Sequence, residues 1–107
     1  MKIIKSKSEI IELIENNDMI LIYFSNINCN VCTAVKPKLI ELLKKFPNIK
    51  AIEVEVMHSI DIPAQFNIFS VPAILLFIDG KEVIREIRYI SLLSLEDKIT
   101  RYYDLVK

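Results

Sequence analysis

Apolar runs and regular alternation predict three β-strands in the first three quarters of the chain. Residues 19–24 form a continuous apolar run, and residues 73–78 are almost entirely apolar. Residues 49–56 alternate, so that Glu53 and Glu55 lie on the side of the strand opposite to Ile52, Val54 and Val56. We therefore expect two fully buried strands and one alternating strand between them.

Helical spacing and capping signals predict two helices in the first half of the chain. Ser6 and Glu9 have the pattern of a capping box, which opens a helix that runs to about Asn16. Its inward positions are predicted to be Ile10, Ile11, Leu13 and Ile14. A second helix follows residue 29, kinks at Pro37 and ends near residues 46–48.

The second half of the chain contains a hairpin and a last helix. The Asp-Gly pair at residues 79–80 predicts a tight turn that leads into a strand at residues 82–89. Residues 58–68 are predicted to form a short helix or an irregular connection. Ser94, with Asp97 three positions later, is expected to cap the last helix. The apolar face of this helix is predicted to contain Leu95, Ile99, Tyr102, Tyr103 and Val106.

The predicted order of elements is α-β-α-β-α-β-β-α, which indicates an α/β fold with a central mixed β-sheet flanked by helices on both faces. The strand at residues 19–24, the helix after it and the strand at residues 49–56 form a βαβ unit, whose strands are expected to be parallel. A chain of 107 residues is long enough for one hydrophobic core. We therefore predict that residues 1–107 form a single domain.

The two cysteines of the chain, Cys29 and Cys32, lie where the first long strand gives way to a helix. Unpaired backbone N–H groups and the helix dipole favour negative charge at a helix N-terminus, and the thiolate is the reactive form of cysteine. Two cysteines three residues apart can also close a small disulfide. The pair therefore favours reversible dithiol–disulfide chemistry over a zinc half-site or two incidental buried thiols.

The composition argues against several other functions. Fourteen Lys and Arg residues balance fourteen Asp and Glu residues, so no charge excess indicates nucleic acid or an anionic membrane surface as a partner. The N-terminal residues lack the apolar core of a signal peptide, and no apolar run reaches membrane-spanning length. We therefore expect a cytoplasmic protein.

A structural zinc site needs four ligands, and the single histidine, His58, is expected to be a solvent-facing loop residue.

The order of motifs resembles that of the thioredoxin family, and the likeness spans essentially the whole chain. The motifs that carry it are the Cys29–Cys32 pair after a buried strand, Pro37 in the following helix, Val71–Pro72 before a strand, and Gly80 in the hairpin. The resemblance implies the thioredoxin fold.

The resemblance also implies a thiol–disulfide oxidoreductase that reduces protein disulfides. Cys29 is then the nucleophile that forms a mixed disulfide with the target, and Cys32 is the resolving residue that attacks the Cys29 sulfur. Pro72 corresponds to the family's cis-proline, and the backbone of Val71 is expected to bind an extended substrate segment. No metal and no cofactor are expected beyond the redox-active Cys29–Cys32 disulfide. A reductase or a low-molecular-weight thiol is expected as electron donor, and the protein is expected to be a monomer.

Several positions depart from the family pattern. Asn28 stands where a tryptophan is usual, Asn30 and Val31 stand where Gly-Pro is usual, and Tyr23 replaces a buried carboxylate. A phenol with a pKa of about 10 is not a base at neutral pH, so the resolving cysteine lacks a proton acceptor unless Glu53 points inward. We therefore expect slower exchange than in typical thioredoxins. Because no histidine lies between the cysteines, we expect a reducing rather than an oxidising protein.

Two other functions are compatible with the sequence. A thioredoxin-like domain with these departures can serve as a protein-binding module that is non-catalytic, or that uses its cysteine pair for redox sensing. A glutaredoxin-like, glutathione-dependent enzyme is a further alternative, although no residues clearly supply its charged glutathione-binding groups. Disulfide reduction that is lost in a Cys29→Ser variant indicates the enzyme.

Overall fold

A five-stranded mixed sheet forms the centre of the molecule in a computed structural model that describes residues 1–106. The strands are β1 (Lys2–Ile3), β2 (Met19–Ser25), β3 (Lys50–Glu55), β4 (Ala73–Ile78) and β5 (Lys81–Ile87). Their order across the sheet is β1-β3-β2-β4-β5. β2 pairs parallel with β3 and antiparallel with β4. The predicted mixed sheet and parallel βαβ strands are therefore confirmed.

Four helices cover the two faces of the sheet, as the sequence predicts. They are α1 (Lys7–Asn16), α2 (Asn30–Leu43), α3 (Asp61–Gln65) and α4 (Leu92–Val106). On one face, residues of α2 and α4 pack against the sheet, and the central members of this core are Leu21, Tyr23, Leu39, Leu76, Leu95 and Ile99. On the other face, residues of α1 and α3 pack with the sheet, and the core includes Ile10, Ile22, Phe24, Val54, Ile62 and Leu75.

The alternation of side chains along the strands decides which residues lie beneath α2. In the register of β2 with β3, Tyr23 pairs with Glu53, and Phe24 pairs with Val54. Tyr23 belongs to the core under α2, whereas Phe24 and Val54 belong to the core under α1 and α3. Successive strand residues point to opposite faces. Glu53 and Glu55 therefore lie on the α2 face of the sheet, and both side chains are buried there.

Two expectations about the ends of the chain are corrected by the structure. The sequence does not predict β1, which pairs parallel with β3 and is too short to show a period. The predicted cap at Ser94 is wrong, because α4 begins at Leu92. The hydroxyl of Ser91 accepts a hydrogen bond from the Ser94 N–H at 3.2 Å, which is the contact that a capping residue makes.

The buried faces of α1 and α4 contain fewer residues than the sequence predicts. The cap at Ser6 is confirmed, since its hydroxyl accepts the Glu9 N–H at 3.3 Å. Ile11 of α1 and Val106 of α4 are exposed, although both were predicted to face inward. Each lies at the edge of an apolar stripe whose centre already fills the space against the sheet. No helix within residues 1–106 combines the length and the apolar character needed to cross a membrane.

Neighbouring residues of α2 provide a direct test of which face of the helix is buried. Leu39 is completely buried in the core under α2, and Ile40 lies on the exposed side. We expect Leu39→Ala to lower the free energy of unfolding by about 2–5 kcal/mol, because it leaves a cavity. We expect Ile40→Ala to lower it by less than about 1 kcal/mol. Urea denaturation measures both, and equal losses would contradict the assigned face.

Candidate active site

The N-terminus of α2 is built around Cys29. Cys29 is the N-cap residue of the helix, with an extended backbone conformation, and its Sγ accepts a hydrogen bond from the Cys32 N–H at 3.1 Å. The Cys29 carbonyl oxygen accepts the Thr33 N–H at 3.1 Å, which closes the first turn. The sulfur of Cys29 thus lies where backbone N–H groups and the helix dipole stabilise negative charge.

The structure brings the two cysteines together as a disulfide pair. Their Cα atoms are 5.2 Å apart, and their sulfur atoms are within bonding distance. Cys29 is partly exposed, whereas Cys32 exposes 2 % of its surface. A molecule that approaches from solvent therefore meets Cys29 first.

The Val71–Pro72 segment lies beside the loop that carries Cys29. The peptide bond between these two residues is cis. Val71 and Cys29 both pack at the edge of the core under α2. Val71 also lines a groove of about 260 Å³, together with Asn26 of the β2–α2 loop and the exposed Phe69. The sequence-predicted residues Cys29, Cys32, Val71 and Pro72 thus occupy one end of the sheet.

Tyr23 supports the first turn of α2 from beneath. Its side chain is completely buried, and its hydroxyl donates a hydrogen bond to the Cys32 carbonyl oxygen at 2.7 Å. Burial, and to a lesser extent the negative charge of Glu53, raises the pKa of Tyr23 to about 12. Tyr23 is therefore a neutral hydrogen-bond donor at physiological pH, and it cannot accept a proton from a cysteine.

Glu53 points inward from β3. It exposes 5 % of its surface, and its Oε2 accepts a hydrogen bond from the Ser25 hydroxyl at 2.7 Å. Its Oε1 lies 2.7 Å from Nζ of Lys36, a residue of α2, and forms an ion pair with it. Glu53, Lys36 and Cys32 all line one cavity of about 400 Å³. The structure therefore brings a carboxylate to the same cavity as the buried cysteine.

The sequence prediction did not include Lys36, although the spacing between Cys32 and Lys36 could be recognised in the sequence. Lys36 lies four residues after Cys32, and residues four apart lie on one face of a helix. The spacing alone places a lysine one turn beyond the buried cysteine. Its charge partner on β3 could be recognised only from the register of the sheet.

Glu55, the last residue of β3, is a second buried carboxylate. It exposes 7 % of its surface, and its Oε1 accepts hydrogen bonds from the Ile27 N–H at 3.2 Å and the Met57 N–H at 3.3 Å. Its Oε2 lies 3.4 Å from Nδ1 of His58. The predicted exposure of His58 is confirmed, since this side chain is more than half exposed. Sequence reasoning assigned no role to Glu55.

The site has no cluster of metal-binding groups in the described part of the chain. Within residues 1–106, no three His, Cys, Asp or Glu side chains are arranged to hold a metal ion. What the arrangement provides is a reversible bond between two sulfur atoms, with a donor-rich helix end on one side and buried acidic groups on the other.

Comparison with known proteins agrees with this geometry. The family model described as Thioredoxin matches residues 2–101. The chain is 40% identical over 92 residues to the Thioredoxin-like protein YdfQ of Bacillus subtilis, which covers 86% of this chain and 82% of that protein. It is 32% identical over 72 residues to Thioredoxin-2 of Pyricularia oryzae, which covers 67% of this chain and 42% of that protein.

Solved structures show the same fold. The oxidised form of mitochondrial thioredoxin 3 from Saccharomyces cerevisiae superposes with a TM-score of 0.85 at 24% identity, covering 94% of both chains. Thioredoxin from Fasciola hepatica gives a TM-score of 0.85 at 27% identity, covering 94% of this chain and 98% of that chain. On the matching family model, the sheet topology and the Cys29–Cys32 pair, this chain belongs to the thioredoxin family of thiol–disulfide oxidoreductases.

Proposed function

We propose that this protein reduces disulfide bonds in other proteins through a cycle in which Cys29 is the nucleophile and Cys32 is the resolving residue. The observation that carries this assignment is the unequal exposure of the two sulfur atoms at the start of α2. Cys29 is partly exposed and Cys32 is buried, and the two are within bonding distance. A target can therefore reach one sulfur, and the second sulfur can reach the first.

The cycle transfers two electrons to the target. The Cys29 thiolate attacks one sulfur of the target disulfide, which forms a mixed disulfide and releases one target thiolate. The Cys32 thiolate then attacks the Cys29 sulfur, which breaks the mixed disulfide and releases the second target thiolate. The target gains two thiols, and the protein is left with the Cys29–Cys32 disulfide. A reductase or a low-molecular-weight thiol returns the two electrons.

Glu53 accepts the proton that Cys32 must lose before the second step. Tyr23 is excluded as acceptor, because its pKa is raised to about 12 by burial. Glu53 is the buried carboxylate in the cavity that Cys32 also lines, and this cavity is large enough for several water molecules. Water in the cavity carries the proton from Cys32 to Glu53, and Lys36 stabilises the carboxylate when it is charged.

Val71 and Pro72 form the edge against which the substrate lies. An extended segment of the target pairs with the Val71 backbone, which brings its disulfide to Cys29 without a requirement for particular side chains. The groove that Val71 shares with Asn26 and Phe69 supports this position.

In this proposal the protein is a monomer and binds no cofactor. It acts in the cytoplasm, where thiols are kept reduced.

Substitution of each cysteine separates the two steps. We expect Cys29→Ser to reduce the turnover of insulin disulfides to the uncatalysed rate, because no nucleophile remains. We expect Cys32→Ser to stop after the first step and to accumulate a mixed disulfide through Cys29. Mass spectrometry under non-reducing conditions measures this adduct, and Thr33→Ser is the control. Partner binding without any turnover in the unaltered protein would instead identify a binding module.

The proton acceptor is tested by Glu53→Gln, which keeps the shape of the side chain. We expect the release of the target from the mixed disulfide to slow by about a hundredfold at pH 7, because general-base catalysis is lost. Rapid-quench measurement of the resolving step gives this rate.

Two controls accompany this test. Glu41→Gln alters an exposed carboxylate of α2 and is expected to change nothing. Tyr23→Phe loses the hydrogen bond to the Cys32 carbonyl oxygen and is expected to be less stable. It is nevertheless expected to remove no ionisation from the pH profile of the resolving step below pH 10, since the phenol is protonated throughout this range. A Glu53→Gln protein that resolves as fast as the unaltered one would refute the role of Glu53.

A reducing function requires a low reduction potential. Because no histidine between the cysteines stabilises the Cys29 thiolate further, we expect a value closer to that of reducing thioredoxins, about −270 mV, than to the oxidising extreme of about −120 mV. Equilibration with glutathione buffers, followed by thiol labelling, measures the potential. A midpoint near the oxidising extreme would show that the protein is an oxidant.

A further inference from the structure

The loop between β2 and α2 presents Cys29, yet its own side chains contribute little packing. Ile27 exposes 75% of its surface, and Asn28 is also exposed. Hydrogen bonds hold the loop instead. The Ile27 N–H donates to Glu55 Oε1 at 3.2 Å, the Asn28 N–H donates to Asn26 Oδ1 at 3.0 Å, and the Cys29 N–H donates to the Asn26 carbonyl oxygen at 2.9 Å. Of these acceptors, Glu55 is the one that lies outside the loop.

Glu55 is suited to fix this loop to the sheet. It ends β3, opposite Ser25 of β2, and it is nine-tenths buried. Its Oε1 also accepts the Met57 N–H, so that one oxygen joins the loop before Cys29 to the turn after β3. A buried carboxylate is costly unless it is hydrogen-bonded. Glu55 and the Ile27 amide therefore keep each other in place.

The titratable and charged groups near Glu55 come from four parts of the chain: the turn after β3, the connection between β1 and α1, helix α2, and β3 itself. His58 of the following turn lies 3.4 Å from its Oε2. Glu55 lines the cavity of about 400 Å³ that Cys32 also lines, and the other charged residues of that cavity include Lys5, Lys36 and Glu53. Lys36 carries no acceptor for the Ile27 N–H, and both oxygens of Glu53 are engaged, one by Lys36 and the other by the Ser25 hydroxyl.

We propose that Glu55 is a positioning residue for the redox reaction, which through the Ile27 amide holds Cys29 at the N-cap of α2. The Cys29 sulfur accepts the Cys32 N–H while Cys29 occupies that position, and this contact stabilises its thiolate. Glu55 acts through the backbone and does not contact the reacting atoms. This role rests on the proposed function, in which Cys29 is the nucleophile.

Two substitutions separate the reach of the side chain from its charge. Glu55→Gln keeps an acceptor oxygen at the same distance but removes the charge. Glu55→Asp keeps the charge but withdraws the oxygen by one methylene group, about 1.5 Å. Both are made in a Cys32→Ser parent, in which Cys29 is the single thiol. The rate of Cys29 alkylation by iodoacetamide is then measured across pH.

We expect Glu55→Asp to slow alkylation at pH 7 by about fivefold and to move the pH profile upward, because a hydrogen bond to the charged sulfur is weakened. We expect Glu55→Gln to stay within about twofold of the parent. Amide hydrogen exchange at Ile27 provides an independent readout, which is expected to become faster in Glu55→Asp and to remain unchanged in Glu55→Gln.

Val54→Ala is the matched control, since Val54 is a buried neighbour on β3 that faces the other core. It is expected to lower the urea midpoint without moving the pH profile. The role of Glu55 is overturned if Glu55→Asp and Glu55→Gln have the same profile, or if Val54→Ala shifts the profile as far as Glu55→Asp does. A parent protein whose Cys29 reacts no faster than free cysteine would instead contradict the proposed function itself, and this role with it.

Discussion

The backbone N–H groups in the first turn of α2, which point toward Cys29, are the feature on which the chemistry of this protein depends. They stabilise charge on the Cys29 sulfur only if the helix begins at that residue. Two buried groups fix this beginning. Tyr23 holds the Cys32 carbonyl from the sheet below, and Glu55 holds the preceding loop from the end of β3. These two hydrogen bonds thus set the position of one polar helix end, and that helix end sets the environment of one sulfur.

The buried acid of this site lies on a different strand from the one that the family resemblance implies. β2 carries the phenol of Tyr23, and the carboxylate lies directly across on β3, at Glu53. The positive partner comes from α2, as Lys36. An ion pair loses hydration when it is buried, and here the loss is limited because Lys36 is partly exposed and the pair borders a cavity. The space between α2 and the sheet therefore contains a buried carboxylate, as the family pattern implies, but Glu53 of β3 carries it instead of a residue at the position of Tyr23 on β2.

The sequence was sufficient for the layers of the fold and for the place of the cysteines, because both depend on local periodicity. The buried strands at residues 19–24 and 73–78 and the strand-to-helix junction at Cys29 follow from it directly. The alternation of β3 also placed Glu53 and Glu55 on one side, but only the covering helix shows that this side is buried. The contact between Glu55 and Ile27 joins residues 28 positions apart, and such a contact follows from register rather than from any local pattern. β1 is too short to carry a signal of its own.

The two segments that carry Cys29 and the Val71–Pro72 bond contain no charged residue. Residues 25–35 and 62–78 lack Asp, Glu, Lys, Arg and His, and the formal net charge of the whole chain is zero. Ile27, Val31 and Phe69 expose apolar surface in these segments. Long-range attraction therefore does not guide a partner to Cys29, and the rate of encounter should change little with ionic strength. Under the proposed function, selection among partners falls instead to the release of water from apolar surface and to the fit of an extended backbone.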